Sequence, residues 1–364
     1  MDQNPPILKV QSRRKTMTTI GGLPLITLSG GPAERGAQHG TALKERIHRM
    51  IEVYGSFFGR PEGEIFDIAA HFKSVINDFE PDYGTEIEAI ADAANVNPLW
   101  IYALNARSEF LSFVPATECT VMHFGGTPLL GQNWDWEERL EPLIALARID
   151  RTDGPSILMM TEPGILGKIG LNDAGVGVCF NFLHINRPTN GVPIHILLRS
   201  ILECPSIDAV RETINRAGPG RSANILVADE KGNRFDMEFA ATEQIEVDDP
   251  GDVIAHTNHY LDPEMFSLPH VLENSTLRLD RAYTLAKATE ARDRQTMTRM
   301  LSDTENPGNS ICQTYRPRDP LGNMGTVCTL TMDLAARNMD IRLGNDASGL
   351  LERVELHPQR AAAE

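Results

Sequence analysis

The periodicity of the chain changes once, between Pro115 and Cys119, and that change restricts the folds open to it. Before it, apolar residues recur at three- and four-residue spacing, so that Ile47, Met50, Ile51 and Tyr54 share one face of a predicted helix. The stretches "GPAERGAQHGTALKERIHRMIEVYGSFFG" and "PEGEIFDIAAHFKSVINDFEPDYGTEIEAIADAANVNPLWIYALNARSEF" both read as helices, and Pro61, Pro81 and Pro98 each suit the first turn of a new one. After Pro115 come apolar runs such as "CTVMHF", "LIALARI", "SILMM" and "GVGVCFNFL", separated by "GGTP", "TDGP" and "NDAG". These predict strands joined as hairpins. A helical pair at about Pro193 to Cys204 and Ser206 to Arg216 interrupts them, then "SANILVADEKGNRFDMEFAATEQIEVDD" turns at "DEKGN". A helical region from about Ser275 to Leu301 and a closing hairpin, "TVCTLTMDLAARNMDIRLG", complete the pattern. It predicts an α+β design of stacked antiparallel sheets with helices outside.

Composition narrows the partners. A chain of 364 residues with 41% hydrophobic content can bury one large core or two ordinary ones. Its net charge is -16, and its longest basic run is "SRRK" (Ser12 to Lys15), which argues against nucleic acid and anionic membranes. The start "MDQNPPILKV" lacks the apolar run of a signal peptide, and no apolar stretch of roughly eighteen residues follows, so a cytoplasmic address is expected. Cys119, Cys179, Cys204, Cys312 and Cys328 are an odd number without a C-x-x-C pair, which suggests neither a disulfide framework nor a thiolate zinc site. "GGLPLITLSGGP" lacks the glycine order and lysine of a phosphate loop and reads as an early hairpin.

Cys119 stands where helical texture ends. A thiol attacks as thiolate, and a reference pKa near 8.5 leaves it protonated at neutral pH, so it needs a base. His123 or His184 would serve a papain-like Cys-His mechanism, but there the cysteine opens a helix, whereas "CTVMHF" reads as a strand. Alternatively the cysteine becomes the first residue of a new chain, and its own α-amine, with a pKa near 8, takes the proton. The other four cysteines suit apolar packing, and Trp134 and Trp136 suit sheet packing. His256 and His259, in "VIAHTNHYL", lie in a strand followed by a loop with no third ligand at fixed spacing, so no metal is expected.

In order along the chain, "CTVMHFGGTPLLGQNWDW", "TEPGILGKIGLNDAGVGVCFNFLH", "GVPIHILLR", "HTNH" and "NSIC" resemble the family of isopenicillin N acyltransferase, the peptidase-like C45 group of N-terminal nucleophile (Ntn) hydrolases. The resemblance implies a four-layer αββα sandwich with a mainly helical N-terminal segment, 1–118, that is released by self-cleavage from a catalytic segment, 119–364. It also implies amide hydrolysis or acyl transfer through a thioester. Carried onto this sequence, Cys119 matches the nucleophile, and Glu118-Cys119 is the bond to be cut. Asp135 matches the acid that holds the new N-terminus, and its carboxylate suits an α-ammonium. Asn258 matches the side-chain donor of an oxyanion hole, Asn181 the backbone donor, and Ser310 a serine near the site. Two departures stand out: Glu118 replaces the usual glycine, and Gln313 replaces an arginine for which Arg316 is the nearest substitute. No cofactor is implied. The expected partner is a small-molecule amide, with the two fragments staying associated and a homo-oligomer left open. The competing readings are a papain-like hydrolase and a non-catalytic scaffold of the same fold.

Overall fold

Gly21 and Gly22 turn the first hairpin, β1 (Thr18–Ile20) and β2 (Leu23–Ser29), with φ of 58° and 80°. Positive φ at both central residues is what a two-residue turn between right-twisted strands requires, and glycine reaches it without strain. The computed structural model describes residues 18–112, 119–248, 251–262, 273–318 and 321–357, so Glu118 lies outside the described residues. Six helices follow the hairpin: α1 (Pro32–Ala42), α2 (Lys44–Phe58), α3 (Glu62–Phe79), α4 (Pro81–Ala94), α5 (Pro98–Asn105) and α6 (Arg107–Phe110). Pro81 and Pro98 take the first helical position as expected, whereas Pro61 sits one residue earlier, at the N-cap of α3. Ile47, Met50 and Tyr54 are buried on one face of α2, with Ile51 at its margin.

The strand-rich part begins with β3 (Thr120–Phe124), β4 (Leu129–Glu137), β5 (Ala145–Asp150), β6 (Ile157–Thr161), β7 (Ile169–Asn172) and β8 (Val176–Phe182). Helices α7 (Ile194–Leu202) and α8 (Ile207–Ala217) come next, then β9 (Ser222–Asp229), β10 (Arg234–Ala240), β11 (Glu243–Val247) and β12 (Val253–His256). The predicted helical region near the C-terminus is two helices, α9 (Glu273–Lys287) and α10 (Arg294–Leu301). The chain ends in β13 (Arg316–Arg318), β14 (Gly322–Asp333), β15 (Asn338–Leu343) and β16 (Glu352–Glu355).

These strands form two sheets. One has nine strands in the order β1-β2-β5-β6-β7-β8-β9-β10-β11; the other runs β12-β3-β4-β14-β15-β16, with β13 beside β14. The sheets face each other through β3 and β4 against β8 and β9, α7 and α8 cover the first, and α9 and α10 cover the second. This is the four-layer αββα arrangement.

The boundary at residue 118 does not separate two bodies. β2 pairs with β5 in parallel, from Leu25 opposite Leu146 to Ser29 opposite Asp150, while the other described pairs are antiparallel. A parallel pair needs a long crossover, and the helices between supply it. Tyr54, Ile101 and Leu104 share one apolar core with Ile165, Leu166 and Leu197. Buried ion pairs also cross the boundary: Glu86 of α4 is held by Arg35 at 3.1 Å and by Arg199 of α7 at 3.1 Å.

Within the helical part, α1 lies against α4 along Gly36 and Gly40. A Cβ at Gly36 would stand 2.3 Å from the carbonyl oxygen of Glu86, and one at Gly40 would stand 2.4 Å from that of Ile90. Gly36→Ala therefore has to push the helices apart, and we expect it to lower the unfolding free energy in urea by about 1–3 kcal/mol. Gly63→Ala on α3 is the control: a Cβ there meets nothing within 4 Å, and its stability should stay level or rise slightly.

Candidate active site

Cys119 directly precedes β3 and is 2% exposed. Thr120 pairs with Asn133 of β4, which places Cys119 across from Trp134, and Cys328 of β14 pairs with Trp134 from the other side. The three side chains form a row facing the opposite sheet. The Cys119 thiol donates weakly to the carbonyl of Asp135, with Sγ 3.7 Å from the oxygen. Burial pushes this thiol up to about 12; the Asp135 carboxylate adds to the rise, while the Asp135 carbonyl contact, Arg278 and Lys168 oppose it. In the uncut chain it is protonated at neutral pH.

Asp135 is fully buried and lies opposite Thr326 of β14. Thr326 exchanges two bonds with Gln313: Gln313 N–H donates to Thr326 Oγ1 at 2.8 Å, and Thr326 N–H donates to the Gln313 carbonyl at 3.0 Å. Gln313 Nε2 bonds the Ser310 carbonyl at 2.5 Å, and Ser310 Oγ donates to the Cys312 carbonyl at 2.8 Å. Ser310 and Gln313 are thus brought beside β4, where they tie a tight turn. Arg316 is not brought in: it is exposed on β13, and its Nε donates to Thr314 Oγ1 at 3.4 Å.

Asn258 follows β12, in the loop the sequence predicts. Its Nδ2 donates to the Phe182 carbonyl at 3.0 Å, its Oδ1 accepts from Arg278 Nη2 at 2.8 Å, and its backbone N–H donates to Ser275 Oγ at 2.7 Å. An amide nitrogen carries two hydrogens, and Phe182 takes one. Asn181 is the residue before Phe182 on β8, and its Nδ2 donates to Asn224 Oδ1 at 3.3 Å. The structure therefore brings Asn258 and Asn181 together from different sheets.

The principal residue that sequence reasoning missed is Arg278. It is fully buried, and its Nη1 donates to the Cys119 carbonyl at 2.6 Å and to Thr120 Oγ1 at 2.9 Å, while Nη2 holds Asn258. A signal was present: Ser275 and Arg278, three residues apart, lie on the buried face of α9, while Arg281 points outward to Asp303 and Glu305. A cation on the apolar face of a predicted helix requires a buried acceptor.

His184 is buried just beyond β8, and three other histidines have partners of their own. His123 is four residues along β3 from Cys119, about 13 Å at strand rise, and accepts from Arg234 Nη1 at 3.2 Å. His256 meets Glu238 Oε1 at 2.7 Å, and His259 Nδ1 meets Ser275 Oγ at 2.8 Å. Burial, with His256 and Arg278 adding to it, pulls His259 down to about 4, so it is neutral at pH 7.

Comparison with known proteins gives three findings. The profile of the family described as acyl-coenzyme A:6-aminopenicillanic acid acyl-transferase matches residues 122–348. The chain is 31% identical over 334 residues to the 40 kDa form of acyl-coenzyme A:6-aminopenicillanic-acid-acyltransferase from Emericella nidulans, covering 88% of this chain and 92% of that protein. Among solved structures, it is similar to an ortholog of N-acylethanolamine-hydrolyzing acid amidase from Caenorhabditis elegans, with 15% identity, a TM-score of 0.44 and coverage of 60% of this chain and 93% of that one. It is also similar to penicillin V acylase from Agrobacterium tumefaciens, with 13% identity, a TM-score of 0.46 and coverage of 62% and 82%.

One titrating group lies just before the predicted cut. Glu109 on α6 is buried, with Oε1 accepting the Ile194 N–H at 2.9 Å and Oε2 without a hydrogen bond among the described residues. Burial pushes its carboxyl up to about 7, against the Ile194 bond and the pull of Arg221 and Arg107. The unfolded chain has an ordinary carboxyl near 4.3. The folded-state pKa is the higher one, so the group's stabilisation is complete below about pH 4 and is lost as pH rises to about 7. Glu109→Gln should remove that loss: unfolding measured at pH 5 and pH 8 should show the variant gaining up to about 3 kcal/mol on wild type at the higher pH. A difference independent of pH would show that Glu109 does not titrate there.

Proposed function

We propose, from the premise that the chain belongs to the acyl-coenzyme A:6-aminopenicillanic acid acyl-transferase family, that it is a self-processed enzyme which cleaves or transfers an acyl group at a non-peptide or small amide bond through an N-terminal cysteine. The carrying observation is the placement of Cys119: it heads β3, its thiol is sealed between the sheets, the charged groups that act most on that thiol are Asp135, Arg278 and Lys168, and His123 of the papain-like reading lies about 13 Å along the strand. A base from its own α-amine answers that arrangement, and cleavage of Glu118-Cys119 creates one.

In processing, the thiol attacks the Glu118 carbonyl and the acyl group passes from nitrogen to sulfur, which breaks the peptide bond and frees the α-amine. Water then hydrolyses the thioester to the Glu118 carboxylate and the free thiol. In turnover, the amine takes the thiol proton and sulfur attacks the substrate carbonyl. The alkoxide that forms accepts hydrogen bonds from the second Asn258 N–H and the Asn181 backbone N–H. Collapse expels the substrate's amine with the proton and leaves an acyl-cysteine thioester, which water converts to an acid or an acceptor amine converts to a new amide. Asp135 holds the α-amine. The Glu86–Arg199 pair and the β2–β5 ladder support the fragments staying associated. Five unpaired, buried cysteines fit a reducing compartment and support a cytoplasmic address. Among the described residues, no helix is long and apolar enough to cross a membrane.

Denaturing mass spectrometry tests the processing step. Wild type should give a fragment of 118 residues and one of the remaining 246 of 364, eluting together under native conditions. Cys119→Ala should stay whole and inactive, and Cys119→Ser should process slowly and turn over poorly. A whole chain that works at full rate would remove the self-cleavage reading; activity in the alanine variant would remove Cys119.

Asn258→Ala separates chemistry from packing. Loss of one oxyanion donor costs on the order of 3 kcal/mol, so kcat should fall about a hundredfold or more while KM moves little. If Asn258 serves only to join Phe182 and Arg278, the melting temperature should fall with near-normal turnover in the folded fraction.

A further inference from the structure

Segment 162–168, just before β7, carries two buried charges, Glu162 and Lys168, and side chains from the N-terminal helices hold it in place. His39 Nε2 accepts the Gly164 N–H at 2.9 Å, which requires the neutral imidazole that burial enforces. Asn105 donates from Nδ2 to the Gly164 carbonyl and accepts at Oδ1 from the Leu166 N–H, both at 2.9 Å. Arg107 grips Glu162 Oε2 through Nε at 3.1 Å and Nη2 at 2.7 Å, and Tyr54 Oη donates to Glu162 Oε1. Glu162 also pairs with Lys168 Nζ, which stands 3.7 Å from the centroid of the Trp134 ring. Trp134 is the cross-strand neighbour of Cys119, so the ammonium lies over the row that holds the thiol.

Lys168 has no carboxylate to itself. It shares Glu162 with Arg107, on which Glu109 is the other acid that acts, and a buried cation calls for an anion. Glu162 is held ionised: burial alone would push it up, but Arg107 and Lys168 hold it well below the usual range. Lys168, the weaker partner, is pulled down to about 7 by burial despite Glu162, with Arg107 adding to the fall. His195 of α7 also faces the cluster and is kept neutral by burial, Arg107 and Lys168. Around the thiol itself stand Asp135 from β4, Arg278 from α9, Cys179 from β8 and Cys328 from β14. Asp135 works against a thiolate, and Arg278 spends its bonds on the Cys119 carbonyl, Thr120 and Asn258. Besides the α-ammonium formed when the amine takes the thiol proton, Lys168 is the side-chain cation that lies over the row holding the sulfur.

We propose that Lys168 is a positioning residue for the nucleophile: its ammonium, fixed over Trp134 by Glu162 and, through Glu162, by Tyr54 and Arg107 of the N-terminal segment, is the counter-charge of the Cys119 thiolate in the cut enzyme. The proposal rests on Cys119 being the nucleophile released by self-cleavage. It makes the N-terminal fragment a working part of the site after the cut, because that fragment holds the anchor of the ammonium.

The test follows alkylation of Cys119 by iodoacetamide across about pH 5 to 10, read by mass spectrometry on the N-terminus of the large fragment. In wild type the midpoint should lie below the ordinary thiol value near 8.5. Lys168→Met, cut and folded by intact mass and melting temperature, should raise it by about one pH unit or more, and Lys168→Arg, which keeps the charge, should bring it back. A cut, folded Lys168→Met enzyme with the wild-type midpoint overturns the proposal. So does a wild-type midpoint at or above 8.5, a result that does not depend on recovering any variant. Wild-type protein that is active but uncut overturns the self-cleavage reading together with this proposal, whereas a cut enzyme with an unmoved midpoint overturns the role of Lys168 alone.

Discussion

Sealing a thiol between two sheets raises the cost of its anion, and the polar groups drawn into the sandwich bear on that cost. Cys119 is enclosed by Trp134 and Cys328 along its own sheet and by Cys179 from the other. Such a row lowers the local dielectric and strengthens every electrostatic contact inside it. The charges near it are correspondingly well anchored. Arg278 reaches three acceptors, and Lys168 is confined by a carboxylate and an aromatic face.

The helical half of the chain is built into this arrangement. Glu86 receives two guanidinium groups, Arg35 from its own half and Arg199 from the strand-rich half, while Arg107 and Tyr54 reach across to Glu162. Buried ion pairs are weak sources of net stability, but leaving one partner behind is costly, so they penalise separation more than they reward folding. A cut at residue 118 removes one covalent link and leaves these contacts in place. The parallel β2–β5 ladder acts in the same direction, because the N-terminal segment supplies an interior strand of the nine-stranded sheet.

Much of this layering was legible from local chemistry. Apolar runs after Pro115 became β3, β5, β6 and β8, the "DEKGN" turn joins β9 to β10, and "GGLPLITLSGGP" is the early hairpin it resembled. What local pattern cannot carry is placement over long separations. The parallel register of β2 with β5 depends on how six helices return the chain, and Arg278 meets Cys119 across 159 positions of sequence. The "NSICQ" stretch shows the converse. Ser310 and Gln313 spend polar atoms on a turn against β14, and the arginine beside Cys119 comes from α9, whereas Arg316 is exposed on β13.

The proposed oxyanion donors illustrate why the distance between sheets matters to chemistry. Asn258 follows β12, which pairs with β3, and Asn181 lies on β8 of the other sheet. Two hydrogen-bonded stitches fix their separation. Asn258 Nδ2 donates to the Phe182 carbonyl at 3.0 Å, and Gln132 of β4 both donates to the Phe180 carbonyl at 2.6 Å and accepts its N–H at 3.1 Å. These contacts land on the residues either side of Asn181, so the backbone amide between them is set from the opposite sheet before any substrate arrives. Donors that are already in place need no reorganisation as charge appears, which is the condition under which such groups act most strongly on a transition state. Arg278 completes the restraint by holding the Asn258 amide oxygen and the Cys119 carbonyl with one guanidinium, so that the proposed nucleophile and donor are referred to a single rigid fork.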